Sequence, residues 1–481
     1  MGRATYTHPM GGGAKITKQG AGVGENPPVR LFRDFPVPEK VLFILSRLRG
    51  AGFRACVVGG AVRDICMGRT VEDWDISTEA APGEIAGVFS DTQSFRLKHD
   101  TVTLVFGKET CEVTPFRDGK GPHGLERDLG RRDFTMNAMA WDPEPARLID
   151  PWRGRGDIRD KVVRAVGRAE DRFREDPLRL LRAVRFAAVF KFRIEEQTFK
   201  AVRAMAPEIE RVSPERIRDE LMGILAAERP SRGFRLMRQS GLLKAVLPEL
   251  QECHLKRQND FHRYTVLRHT LECVDLVEPD PMLRVSALLH DVAKPRVRIK
   301  KGDRWSFPGH ERASAELAGE IMQRLRCDNR FTERVVNLIR HHMIGYGPGW
   351  TDGAVRRLIR RVGVEDIFSL LAFRKADIRA HGTKDSKTGP LDELENRIRG
   401  LLEQKAVLGR ADLAVDGRRV MEVLQLDPGP AVGGVLDCLL ERVTDDPSLN
   451  REATLVRMMK QECGQTKKSP TRESSGENGR K

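Results

Sequence analysis

The stretch Val57 to Thr78, VVGGAVRDICMGRTVEDWDIST, limits the fold more tightly than any other part of the chain. The apolar run Ala55-Cys56-Val57-Val58 is too short for a helix and ends at Gly59-Gly60, which predicts a buried strand and then a tight turn. AVRDICMG opens a helix from that turn. In Asp73-Trp74-Asp75-Ile76, strand geometry puts the two carboxylates on one face and Trp74 with Ile76 on the other. Side-by-side carboxylates repel unless a cation lies between them, and all-oxygen ligation suits Mg²⁺. Backbone N–H groups at Gly59 and Gly60, the start of the helix and the Arg63 guanidinium can cradle phosphates.

Downstream, Thr101 to Phe106 and Thr110 to Thr114 read as two strands joined at Gly107-Lys108. Glu112 in the second strand offers a third carboxylate, as in sites that activate a hydroxyl and stabilise a leaving pyrophosphate. These features together point to metal-assisted nucleotidyl transfer. Arg131-Arg132-Asp133-Phe134 starts a segment that mixes cations with small apolar residues, and Asp150-Pro151 with Gly154 and Gly156 marks a boundary. In EDPLRLLRAVRF, Asp176, Arg179, Arg182 and Arg185 recur every third residue and predict a polar stripe on one helix. A carboxylate beside a guanidinium offers an acceptor and several donors in fixed planes, suited to the edge of a base.

At 481 residues the chain exceeds one ordinary core. Lys plus Arg exceed Asp plus Glu by 84 − 69 = 15, so an anionic partner, with nucleic acid the commonest, is expected. The eight cysteines form no CxxC pair, and no membrane-length apolar run occurs. Both facts predict reduced thiols, a cytoplasmic protein and no membrane partner. Eight of the eleven histidines fall between His254 and His381, about a quarter of the chain, and that clustering calls for a reason.

The ordered motifs GGAVRD, DWD, EVTPFR, RRDFTMNAMA and EDPLRLLRAVRF, over about residues 38 to 250, resemble those of bacterial class II tRNA nucleotidyltransferases and the related poly(A) polymerases. The resemblance implies an α/β head, a polymerase β-like nucleotidyltransferase with a small mixed sheet and helices, then an all-α neck, body and tail. It implies catalytic Mg²⁺ on Asp73 and Asp75 with Glu112 as third acid, and a triphosphate held by Gly59, Gly60, Arg63 and Arg132. Asp176 and Arg179 match the positions that pair with the incoming CTP or ATP, supported by Arg182 and Arg185. Ser94 to His99 is more similar to the tRNA enzymes than to poly(A) polymerases. Only ten residues, DGKGPHGLER, separate Arg117 from Asp128, a short loop similar to that of CC-adding enzymes, which need a separate A-adding partner. CCA addition, CC addition and poly(A) synthesis remain open at this point.

The order His269, His290-Asp291, His310, His342 and Asp377 resembles the HD-domain phosphohydrolases, with His341 an alternative to His342. That resemblance implies a divalent transition metal and a possible second, hydrolytic activity. LAVDGRRVMEVLQLDPGPAVGGVLDCLLERV resembles the tail helices that grip the tRNA elbow. The expected division is a disordered tail over 1–28, the catalytic head over 29–150, neck and RNA-binding body over 151–257, HD domain over 258–383, helical tail over 384–463 and a disordered end over 464–481.

Overall fold

The computed structural model describes residues 35–462, apart from 93, 97–100, 108, 117–120, 122, 143–146, 259–262, 383–386 and 405–407. Arg117 and most of the short loop after it, the 1–28 tail, the 464–481 end, and Lys98 with His99 lie outside the described residues. Contacts divide the chain into two compact units, one running to Gly130 and resuming over Met136–Arg155, the other comprising Arg131–Thr135 and everything from Gly156.

The first unit is built on a seven-stranded mixed sheet. Its strands are β1 (Ala55–Val58), β2 (Asp75–Thr78), β3 (Ser94–Arg96), β4 (Val102–Phe106), β5 (Glu109–Pro115), β6 (Ala140–Asp142) and β7 (Arg147–Ile149). They lie in the order β3-β4-β5-β2-β1-β6-β7, and only β2 and β5 pair parallel. β1 lies near the centre of the sheet, between β2 and β6, and all four of its residues are buried, as an uninterrupted apolar run requires. β5 instead alternates, with Cys111 and Val113 inward and Glu112 outward. The helix Glu39–Gly50 packs on β1 through Val41, Ile44, Leu45 and Leu48. Leu42, on the same helix, is 41% exposed.

The second unit is almost wholly helical. A two-stranded pair, β8 (Val162–Val163) with β9 (Arg193–Ile194), flanks the helix Arg179–Val189. Phe134 meets Phe186 edge-on at 5.7 Å, and Phe186 stacks on Phe190 at 5.7 Å. Further along come the helices Val266–Leu276, Pro281–Leu289, His310–Arg324, Asn329–His341 and Ile367–Ala380. An exposed hairpin, β10 (Ile299–Lys301) with β11 (Arg304–Ser306), interrupts them. The last three α-helices, Gly417–Leu424, Pro430–Asp445 and Glu452–Glu462, share a small core that includes Val420, Val443 and Leu455.

Two sequence expectations change in detail. β2 starts at Asp75, so Asp73 stands two residues before the strand, although burial still alternates through Trp74 and Ile76. Asp176 does not share a helix with the arginine stripe. It ends the helix Ala169–Glu175, and the next helix begins at Arg179 after Pro177, whose ring disfavours helical backbone in the residue before it.

Where Ser231–Ser240 crosses its neighbours, a Cβ added at Gly233 would come within 2.5 Å of Ile224 Cγ2 and 3.3 Å of Ala188 Cβ. Gly233→Ala is therefore expected to lower stability by about 1–3 kcal/mol through overpacking. A shift of the urea midpoint at constant m-value would register it.

Candidate functional sites

In the first unit, register assembles the acids. Val58 of β1 pairs with Asp75 of β2, and Asp75 pairs with Glu112 of β5, so the end of the central strand, the glycine turn and the acids occupy one end of the sheet. The Cys111 thiol donates to the Trp74 carbonyl at 3.3 Å, tying the segment before β2 to β5. Burial, followed by the charges of Asp75 and Asp73, raises the Glu112 pKa. A cation among these oxygens would relieve that repulsion, so the donor chemistry fits Mg²⁺. The three acids are not tightly drawn together, however: among the described residues, every trio of donor atoms within 4.8 Å lies in the second unit.

Gly59 has φ 72°, a left-handed conformation that side-chain-bearing residues disfavour, and it caps the helix Gly60–Cys66. Arg63 on that helix donates to both oxygens of Asp64, at 3.0 and 2.8 Å, and to Asn137 Oδ1 at 2.9 Å. A Cβ at Gly60 would sit 3.5 Å from the guanidinium, so the glycine leaves its side open. The pairing of Arg63 with Asp64 and Asn137 was not anticipated. All three lie within the quoted motifs, but sequence does not tell which side chains meet.

In the second unit the arginine stripe is more internal than its periodicity suggests. Arg179 is 7% exposed and donates to the carbonyls of Arg172 (3.1 Å) and Arg131 (2.8 Å) and to Glu175 (3.0 Å). Arg182 donates to Asp133 at 2.8 Å, and Arg185 pairs with Glu220 at 2.7 Å. Both guanidiniums lie over the Phe186 ring. Asp176 faces Arg216, whose two nitrogens reach it at 3.2 and 2.8 Å. Arg132 is half-buried in the turn before Phe134.

Burial works against the Arg182 charge, yet Asp133 and Glu220 leave its pKa raised; for Glu220, burial prevails and raises the pKa. Acid and guanidiniums thus form a coupled internal network. Glu220→Ala would leave Arg182 and Arg185 without their shared carboxylate. With those side chains 31% and 27% exposed, a loss of about 2 kcal/mol is expected, short of the full cost of breaking a buried pair. A denaturation midpoint measures it.

The histidine cluster is the most compact constellation. His269 Nε2 lies 2.9 Å from Asp377 Oδ1 and 3.2 Å from His290 Nε2, and His290 Nε2 lies 3.2 Å from Asp291 Oδ2. His310 Nε2 approaches Asp291 Oδ1 at 3.6 Å. His290, His310 and His342 each turn Nδ1 to the carbonyl three residues back, of Ala287 (2.9 Å), Phe307 (2.9 Å) and Ile339 (2.6 Å). A carbonyl only accepts, so Nδ1 carries a proton and Nε2 is turned to the cluster, where a neutral imidazole would offer its lone pair to a metal. Neither oxygen of the buried Asp291 makes a well-directed hydrogen bond, despite its close charged neighbours. Imidazole nitrogens and carboxylates in this arrangement fit a divalent transition metal.

His342 belongs to the cluster at 1% exposure, whereas His341 turns aside to the Asn337 carbonyl. Three residues join the cluster beyond the sequence set: His381, four positions after Asp377, Lys294, 2.6 Å from Asp291 Oδ2, and Arg374, paired with Asp377. Helical spacing alone supplied a signal for each, at i+4, i+3 and i−3 from an acid already singled out. A cavity of about 370 Å³ opens on the cluster, lined by Lys294, Arg374, His310 and His342 among others. Burial holds the His342 pKa at about 3 and the His381 pKa at about 4, which keeps both imidazoles neutral near pH 7. Asp291 and the nearby charges prevail over burial at His290 and bring its pKa to about 10 in the metal-free protein. His342→Ala is expected to remove most bound transition metal and His341→Ala to spare it, as read by elemental analysis after dialysis against Ni²⁺ or Mn²⁺.

The fold and these two constellations define a nucleotidyltransferase head followed by an HD domain. Residues 55–164 match the poly A polymerase head domain, 191–253 the probable RNA and SrmB-binding site of polymerase A, and 262–370 the HD domain. The A-adding tRNA nucleotidyltransferase of Deinococcus radiodurans is 36% identical over 409 residues, 80% of this chain and 91% of that protein. The CCA-adding enzyme of Streptococcus thermophilus is 30% identical over 439 residues, 88% and 97% of the respective chains. The crystal structure of the Bacillus stearothermophilus CCA-adding enzyme in complex with CTP superposes with a TM-score of 0.67 at 27% identity, covering 90% of this chain and 99% of that one. The chain belongs to the tRNA nucleotidyltransferase and poly(A) polymerase family, and it is an enzyme that adds nucleotides to tRNA 3′ ends. No described helix is long and apolar enough to cross a membrane.

Proposed function

We propose that the head transfers CMP and AMP to the 3′ end of tRNA without a template. The observation that carries the chemistry is the register of Asp75 against Glu112, with Asp73 two residues away. Mg²⁺ held by these oxygens would stabilise the charge that develops on the triphosphate. The protein's own groups position the substrates. Gly59, Gly60 and Arg63 hold the triphosphate, with Arg132 in the same role; Asp176 and Arg179 select the base, backed by Arg182 and Arg185. CTP as a substrate is supported by the CTP complex of the Bacillus stearothermophilus relative. The helical regions from 151 to 257 and 384 to 463 would grip the tRNA, the latter at its elbow.

A narrower product range has two observations behind it. The ten-residue connection between Arg117 and Asp128 favours stopping after CC, with a separate enzyme adding A. The 36% identical relative, named A-adding, favours addition of the last nucleotide alone. Incubation with tRNAs ending before, within and after CC, with CTP, ATP or both, separates the readings by product length. Growth beyond one A would instead indicate poly(A) synthesis.

The HD cluster would bind a divalent transition metal through His269, His290, Asp291, His310, His342 and Asp377, and would hydrolyse a phosphate ester. Asp73→Ala or Asp75→Ala should abolish nucleotide transfer while leaving the thermal midpoint nearly unchanged, since Asp73 is exposed and Asp75 only half-buried. Transfer at the parental rate would refute the acid assignment. Arg179→Ala should reduce discrimination among the four nucleotides, measured as the ratio of kcat/KM values, and an unaltered ratio would remove Arg179 from base selection.

A further inference from the structure

None of the residues assigned above to nucleotide transfer or to metal lies in the hairpin β10–β11, yet its composition is extreme. From Arg296 to Trp305 it carries five cations, Arg296, Arg298, Lys300, Lys301 and Arg304, against one acid, Asp303. Arg296 is paired with Glu252. Gly302, at φ 58°, closes a two-residue turn that presents Lys300, Lys301 and Arg304 to solvent. Exposed cations on so short a hairpin are a surface for a polyanion.

Register ties this surface to the HD cavity. Ile299 pairs with Ser306 and Lys301 with Arg304, so these four residues share one face of the ribbon. Ser306 lines the cavity, as do Lys294 and Arg374. Two residues along the strand, about 7 Å farther out, stand Lys301 and Arg304. The opposite face presents Lys300 beside Trp305, whose ring is stacked under the Arg298 guanidinium at 3.4 Å. Cations therefore run from inside the cavity to the hairpin tip along one face.

We infer that the hairpin Ile299–Ser306 is an RNA-binding lip, which directs the phosphorylated end of a single RNA strand into the HD cavity. The terminal phosphate enters toward Lys294 and Arg374, and Lys301 with Arg304 hold the backbone behind it. A chain of phosphates matches a line of cations, whereas a lone phosphate ester has no use for charges at the tip. The inference rests on the phosphohydrolase reading of the cluster for the fate of that phosphate, but not for the binding itself.

The test uses the full chain and a short single-stranded RNA with 4-thiouridine next to a 3′-phosphate. Photocrosslinked peptides are identified by mass spectrometry. The expected result is a crosslink within residues 297–307, reduced at least tenfold by Lys301→Glu with Arg304→Glu, while nucleotide transfer to tRNA is unchanged. Crosslinks confined to other segments, or a yield that the double variant leaves intact, overturn the inference. The same follows if the hairpin captures an acidic protein and no RNA. Hydrolysis of p-nitrophenyl phosphate with added Ni²⁺ or Mn²⁺ reports the cluster separately. An idle cluster with a crosslinked hairpin ends the hydrolytic reading and leaves the lip standing; turnover without a crosslink does the reverse.

Discussion

Everything proposed for the head depends on a single parallel pairing, β2 with β5, in a sheet whose other pairs are antiparallel. It brings Asp75 and Glu112 side by side at the end of the sheet where the central strand gives way to the glycine turn. Two carboxylates so placed work against folding, and burial, with the charges of Asp75 and Asp73 added to it, raises the Glu112 pKa. The buried alternates Cys111, Val113 and Ile76 hold the strands in register regardless. The apolar face of the sheet thus carries the cost of an arrangement that a bound cation would make favourable.

The second unit uses charge differently. Around Glu220, the guanidiniums of Arg182 and Arg185 and the carboxylate of Asp133 form ion pairs inside the helical packing, over the Phe186 ring. Such a network contributes rigidity and a defined geometry rather than much net stability. Arg179, pinned by two backbone carbonyls and Glu175, is fixed in direction before any nucleotide arrives. Preorganisation of this kind suits a residue proposed to discriminate bases.

The buried strand Ala55–Val58 and the helix that follows its glycine turn were legible because each follows a short-range rule. An uninterrupted apolar run becomes the central strand, alternation places Glu112 outward, and helical spacing aligns Val41, Ile44, Leu45 and Leu48. Partnerships between distant segments were not legible. Periodicity sees Asp176, Arg179, Arg182 and Arg185 as one stripe, but Pro177 splits it, and Asp133, Glu220 and Arg216 decide where its members point. His341 and His342 are indistinguishable in sequence; the rotation of one residue about the helix end sends one imidazole inward and the other away. His381, Lys294 and Arg374 were in plain view at helical spacings, but without the cavity no rule ranks them above other cations.

The three imidazoles whose Nδ1 atoms rest on carbonyls of Ala287, Phe307 and Ile339 take their hydrogen-bonded aim from main chain. A side-chain clamp, such as a carboxylate behind each ring, can be lost by a single substitution. A carbonyl three residues back cannot be mutated away while the local turn persists. The cavity around the cluster can therefore be relined with new residues without releasing the imidazoles from their carbonyls.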